Sequence, residues 1–184
     1  IQTAIGENSK ITFQYFQWNV EKKMELRHDG AVYKVSPWAL SWNDGNYYLI
    51  AYDGEKGIIK HFRVDKMLHI ELDGEKREGK QVFQSFDMAA YARKMFGMYG
   101  GKEERVRLEC ENSFAGVIID RFGKDVTLNR LDDTHFFVNV EAAVSRQFLS
   151  WVIGLGEGVK ITGPESVVAR MEDEICRLMR QYQK

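Results

Sequence analysis

Cysteine and proline are scarce: the 184 residues hold two of each. Cys110 and Cys176 are too few for a secreted disulfide framework, and they read as small buried thiols in a reducing compartment. No run approaches the roughly 18 apolar residues of a membrane-spanning helix, and no signal-peptide pattern is present. A cytoplasmic protein without a membrane partner is expected. Charge of one sign is missing as well, since 26 Lys and Arg against 27 Asp and Glu leave a net −1. That balance excludes a globally basic protein that coats nucleic acid, while a local basic patch stays open. Catalytic signatures are absent too. There is no Gly-x-Gly-x-x-Gly, Walker loop, His-Glu-x-x-His or Gly-x-Ser-x-Gly. His28, His61, His69 and His135 never fall at metal-ligand spacing with one another or with a cysteine. No enzyme activity, cofactor or metal is therefore expected.

What is present is core material: 44% of the residues are hydrophobic and 12% aromatic. The first half reads as strands. Ile11 to Tyr15 alternates apolar and polar residues, the period-2 sign of a half-buried strand. Further strands are expected at Lys22 to His28, Val32 to Trp42, Tyr47 to Tyr52 and Ile58 to Val64. The Asn43-Asp44-Gly45-Asn46 turn supplies the positive φ that a tight hairpin requires. Short strands at close spacing predict a small β-barrel over about residues 8–72. Residues 73–85 are charged and glycine-bearing, the best linker candidate. Asp87 is a plausible N-cap for a short helix through Phe96.

The second half changes rhythm. Strand patterns at 105–111, 125–131, 135–140 and 159–162 alternate with helical ones at 113–122 and from Ser145 to Gly154. After Pro164, Val168, Met171, Ile175, Leu178, Met179 and Tyr182 recur at three- and four-residue steps, predicting a terminal helix that buries them. The order β-α-β-β-α-β is the split-βαβ, ferredoxin-like pattern. The fold class expected is α+β: a barrel domain over 1–80, a linker and short helix over 81–102, and a ferredoxin-like domain with a C-terminal helix over 103–184.

The most informative stretch runs from Tyr33 to Met67. Tyr33-Lys34-Val35-Ser36-Pro37-Trp38 precedes Tyr47-Tyr48-Leu49-Ile50, and then comes Phe62-Arg63-Val64-Asp65-Lys66-Met67. This block closely resembles the WYL domain, the effector-sensing module of a large group of bacterial transcription regulators. The naming tripeptide stands here as Tyr47-Tyr48-Leu49, and the family's Phe-Arg-x-x-Arg-Ile signature as Phe62 to Met67, with Lys66 replacing a planar fork by a point charge. Phe86-Asp87-Met88, Phe96-Gly97-Met98, Asp120-Arg121-Phe122-Gly123, Phe148 to Trp151 and Ile161 to Pro164 resemble the extension that follows WYL in many of these regulators.

The resemblance implies an Sm-like, SH3-type barrel, a nucleotide or single-stranded nucleic-acid effector, and a homodimer. It also implies operator DNA as a partner, through an N-terminal helix-turn-helix that this sequence does not contain. The chain, beginning at Ile1, is expected to be a fragment of something longer.

Strand alternation places His61, Arg63 and Asp65 on one face and Phe62 and Val64 on the core face. Arg63 and His61 are then expected on an accessible surface, where an arginine can fork onto phosphate and tyrosines can stack on bases. The candidate ligand-binding residues are Arg63, Lys66, His61, Tyr48, Tyr33, Ser36 and Trp38. Two alternatives stay open: Arg63 pairs with Asp65 rather than with ligand, and the aromatic residues serve the barrel core. Equal numbers of basic and acidic residues over 11–80 make any anion site local.

Overall fold

The computed structural model describes residues 1–84, 91, 94–96 and 101–183. The chain forms two compact units, Ile1–Phe86 and Asp87–Lys184. Each has its own antiparallel sheet, and the protein is of the α+β class. The helix expected over 87–96 falls largely outside the described residues.

The first unit opens with a short helix, α1 (Gln2–Gly6). It continues through β1 (Ser9–Trp18), β2 (Met24–Leu26), β3 (Tyr33–Asn43), β4 (Asn46–Asp53), β5 (Ile58–Arg63) and β6 (Met67–Lys76), and ends in α2 (Lys80–Phe83). The sheet runs β2-β1-β3-β4-β5, and β6 pairs with β1. Register shifts in the β1–β6 and β3–β4 ladders bend these strands, because a bulge adds a residue on one side and increases local twist. The result is a curled, half-barrel-like sheet. Its core contains Ile11 and Phe13 of the alternating β1 pattern and Phe62 of β5, as expected, together with Val35, Leu49, Ala51 and Ala4 of α1, and Val64 packs partly buried against it.

The β3–β4 hairpin forms at the predicted turn. Asn43 pairs with Asn46, and Asp44 and Gly45 both take positive φ, +53° and +75°, as a two-residue turn that continues the strand twist requires.

Residues 73–76, expected as linker, are instead the end of β6. Charge there marks ion pairing, not a tether. Lys10 of β1 bridges Glu75 and Glu78 at 3.1 and 2.7 Å, and Lys34 of β3 bridges Asp73 and Glu75 at 2.9 and 2.7 Å. The backbone of this charged stretch is satisfied by pairing with β1, which composition alone does not reveal.

The second unit comprises β7 (Lys102–Glu111), α3 (Ala115–Phe122), β8 (Leu128–Arg130), β9 (His135–Val144), α4 (Arg146–Gly154), β10 (Val159–Gly163) and α5 (Glu165–Tyr182). Its sheet order is β10-β7-β9-β8, every neighbouring pair antiparallel. Val106, Leu108, Val138 and Val140 of the two central strands meet Ile118, Phe148, Val152 and Val167 from the helices in one core.

Two expectations fail here. Cys110 is fully buried, and burial pushes its thiol up to about 11, but Cys176 is exposed on α5. The apolar stripe of α5 is only partly covered, for Val167 is buried while Ile175, Met179 and Tyr182 are 44%, 53% and 78% exposed. Helical spacing identifies a stripe, and the length of neighbouring elements decides how much of it is buried. Here α5 has 18 residues and the adjacent β10 only five.

Candidate ligand site at the end of β5

β5 is the last strand of the first sheet's path and pairs with β4 alone along it. Phe62 points into the core, meeting Phe13, Tyr33 and Tyr15 with ring centroids at 5.0, 5.5 and 5.7 Å. Alternation therefore turns Arg63 to the other face. Its backbone N–H donates to Tyr15 Oη at 3.0 Å, tying the strand end to β1. Tyr48, half-buried, stands directly across on β4.

The guanidinium of Arg63 is already engaged. Nε donates to Asp65 Oδ1 at 3.1 Å and Nη2 to Asp65 Oδ2 at 2.7 Å, a two-point ion pair, while Nη2 also donates to Asn46 Oδ1 at 2.6 Å. The Arg63 side chain is 33% exposed and that of Asp65 53%. Asp65's hydrogen bonds raise the Arg63 guanidinium further above its ordinary value, and Arg63 in turn holds the Asp65 carboxyl below the usual carboxylate range. The pairing of Arg63 with Asp65 that the sequence left open is present. It arises because the strand stops at Arg63: Val64–Lys66 is a 3-10 turn, which brings Asp65 back over the arginine. Lys66 closes that turn, half-buried.

The other candidates are placed differently from the expectation. His61 lies opposite Ile50, which is fully buried, and burial pushes the imidazole down to about 4. The face marked as accessible is thus covered at His61 and opens only toward Arg63. Tyr33 belongs to the aromatic core, stacked on Phe13 at 5.3 Å.

Ser36 and Trp38 do not join Arg63. Ser36 pairs with Tyr52, whereas Ser41 pairs with Tyr48, so Ser36 is five residues along β3, about 16 Å away at the strand rise. Ser36, 1% exposed, accepts the Glu78 N–H at 2.8 Å. Trp38 donates Nε1 to the Glu78 carbonyl at 2.8 Å, stacks with Phe83 at 4.8 Å and holds the Arg77 guanidinium over its ring at 4.2 Å. Both residues anchor the 77–83 segment. Beside them a polar cavity of about 360 Å³ is lined by Lys10, Lys34, Ser36, Gly54, Glu75 and Glu78.

Sequence reasoning missed Tyr15 and Asn46, which reach Arg63 from β1 and from the β3–β4 turn. No local spacing signals contacts 48 and 17 residues distant. Among the described residues no group of three or more His, Cys, Asp or Glu could hold a metal ion, and no helix is long and apolar enough to cross a membrane.

Comparison with known families follows this division into two units. The WYL domain model matches residues 1–72, and the WCX domain model matches residues 102–179. The chain is a WYL-domain protein. Among solved structures it is similar to the proteasome accessory factor B/C (PafBC) of Arthrobacter aurescens, at 22% identity and a TM-score of 0.41, covering 100% of this chain and 26% of that one. It is also similar to a CRISPR Cas-related protein, at 12% identity and a TM-score of 0.51, covering 100% of this chain and 51% of that one. The second likeness is one of fold. This WYL–WCX chain therefore spans about half, or less, of the structures it resembles. No curated protein matches it in sequence.

Proposed function

We propose that this WYL–WCX chain is the effector-sensing and dimerisation region of a DNA-binding transcription regulator. In this reading it binds an anionic ligand, a nucleotide or single-stranded nucleic acid, on the WYL domain. The observation that carries the reading is Arg63. It stands in the WYL signature at the end of β5, a third exposed, with Tyr48 beside it and its backbone held by Tyr15. A guanidinium held this way is pre-organised to fork onto phosphate. Lys66 adds charge one short turn on, Tyr33 and His61 act as supports of the strand and not as ligand contacts, and Ser36 and Trp38 serve the 77–83 segment instead. The part played is binding, not catalysis, and the setting is the cytoplasm.

The strand order β10-β7-β9-β8 with helical crossovers supports a ferredoxin-like assignment for the WCX unit, and the curled sheet supports an Sm-like one for the WYL unit. Homodimerisation through residues beyond about 85 is the second half of the proposal. The incompletely covered face of α5 supports it, with an apolar groove of about 460 Å³ lined by Ile153, Val159, Ile161, Val168, Met171 and Ile175 among others. A second reading, a scaffold that dimerises and orients a DNA-binding domain without a ligand, is favoured by the Arg63–Asp65 pair.

Filter binding of the chain to single-stranded DNA, RNA and nucleotides at two salt concentrations separates the two readings. On the sensing reading, Arg63→Ala weakens binding about tenfold or more, as loss of a charge-assisted bond does. It also flattens the salt dependence by a little under one log unit per log unit of salt. Binding by none of the ligands leaves the scaffold.

A further inference from the structure

The carboxylate of Asp65 occupies the Nε/Nη2 edge of Arg63, with one oxygen on each nitrogen at 3.1 and 2.7 Å. That edge is one of the two a phosphate can use for two-point recognition, and on the other edge Nη2 already donates to Asn46. We propose that Asp65 is a built-in competitor for the ligand's phosphate and the specificity-determining residue of the site. The inference rests on the reading of Arg63 as the ligand contact and adds what that contact selects for. A carboxylate tethered two residues from the arginine is present at an effective concentration far above that of a solution anion. A lone monoanion or free carboxylate does not displace it. A terminal phosphate or pyrophosphate does, because it brings more charge to the same fork, and a chain of phosphodiesters, with one charge each, does so by adding contacts along the strand, Lys66 being nearby.

The local structure suits a displaceable group. Asp65 is more than half exposed and sits on a single 3-10 turn between β5 and β6, so its side chain can leave for water by rotation about its own bonds. Arg63 is the fixed partner, held by the Tyr15 hydroxyl at its backbone and by Asn46 at 2.6 Å on Nη2. Exchange of Asp65 for phosphate therefore leaves the arginine in place, pre-organised. The same exchange frees the Val64–Lys66 turn from its clasp on β5, so that ligand occupancy is coupled to the start of β6.

The test uses the whole chain with fluorescein-labelled dT12 read by anisotropy, and pyrophosphate as competitor. Asp65→Asn keeps the shape and removes the charge. It is expected to bind dT12 two- to fivefold more tightly, the factor equivalent to an exposed ion pair, and Asp65→Ser to do the same. Asp44→Asn, an exposed carboxylate on the β3–β4 turn, controls for long-range charge and is expected to change affinity less. In an Arg63→Ala background the gain from Asp65→Asn is expected to vanish. A tighter grip on pyrophosphate as well points to phosphate groups in general, and on dT12 alone to the polymer; both support competition at the fork. Unchanged or weaker binding by Asp65→Asn, with Arg63→Ala still losing affinity, overturns the competitor role and leaves the site standing. A gain that persists without Arg63 also overturns it. Wild-type affinity in Arg63→Ala sinks the site itself.

Discussion

His61 faces Ile50 across the β4–β5 ladder, and its imidazole is pushed down to about 4 by burial. In the unfolded chain an imidazole titrates near 6.5, so between pH 6.5 and 4 the unfolded state takes up a proton that the folded state refuses. The stability tied to neutral His61 is present above 6.5 and is lost as pH falls through that window, by roughly 3 kcal/mol at full extent. Urea midpoints measured at pH 7 and pH 4.5 are expected to fall, and the fall should shrink in His61→Gln. Asp53, Asp65 and Glu75 have lowered values, so their contribution begins to fall near the unfolded carboxylate values of about 4–4.5 and is lost mainly below them. An equal fall in His61→Gln would assign the effect to other groups. Strand alternation identifies the face on which His61 and Arg63 lie, yet only at Arg63 is that face open. Burial of a strand face depends on what the rest of the chain lays over it, which a period-2 pattern does not encode.

At the scale of elements, caps and turns were legible and long-range anchors were not. Ser145 precedes α4 as an N-cap, its Oγ accepting the Phe148 N–H at 3.3 Å. Ser145→Ala should cost about 1 kcal/mol, read as a lower urea midpoint with unchanged slope. Gly79 carries more. It sits at φ +81°, and a Cβ there would lie 2.5 Å from Tyr52 Cγ. Gly79→Ala combines left-handed strain with a clash against a ring, and a loss of at least about 1–2 kcal/mol is expected. The measurement is the same, and an unchanged midpoint would mean that the 77–83 segment contributes nothing to the WYL unit. Residues 73–80 look like a tether because they are charged and rich in glycine. They fold as strand end and clamp because Lys10 and Lys34, far away in sequence, supply the opposite charges, and because Ser36 and Trp38 hold the backbone of Glu78.

At the scale of the whole molecule the α5 face is the testable feature. Light scattering at tens of micromolar is expected to return a dimer, and Met179→Glu, placed on an already exposed position, to shift it toward monomer without lowering the urea midpoint. A monomer for the unaltered chain would remove the dimer from the proposal. The sequence alone determined two sheet-bearing halves, most of the strands and helices that build them though not α1 or β6, the β3–β4 turn, and the arginine near the end of β5. These features are written in spacings of two to four residues and in local backbone preference. Only the tertiary structure decided that Trp38 and Ser36 are anchors, that His61 is covered, that α5 keeps an open apolar stripe, and that the fork of Arg63 is filled by Asp65 and Asn46. Burial, ion pairing and ring stacking are set by which distant segments come into contact, and a linear pattern carries no record of that.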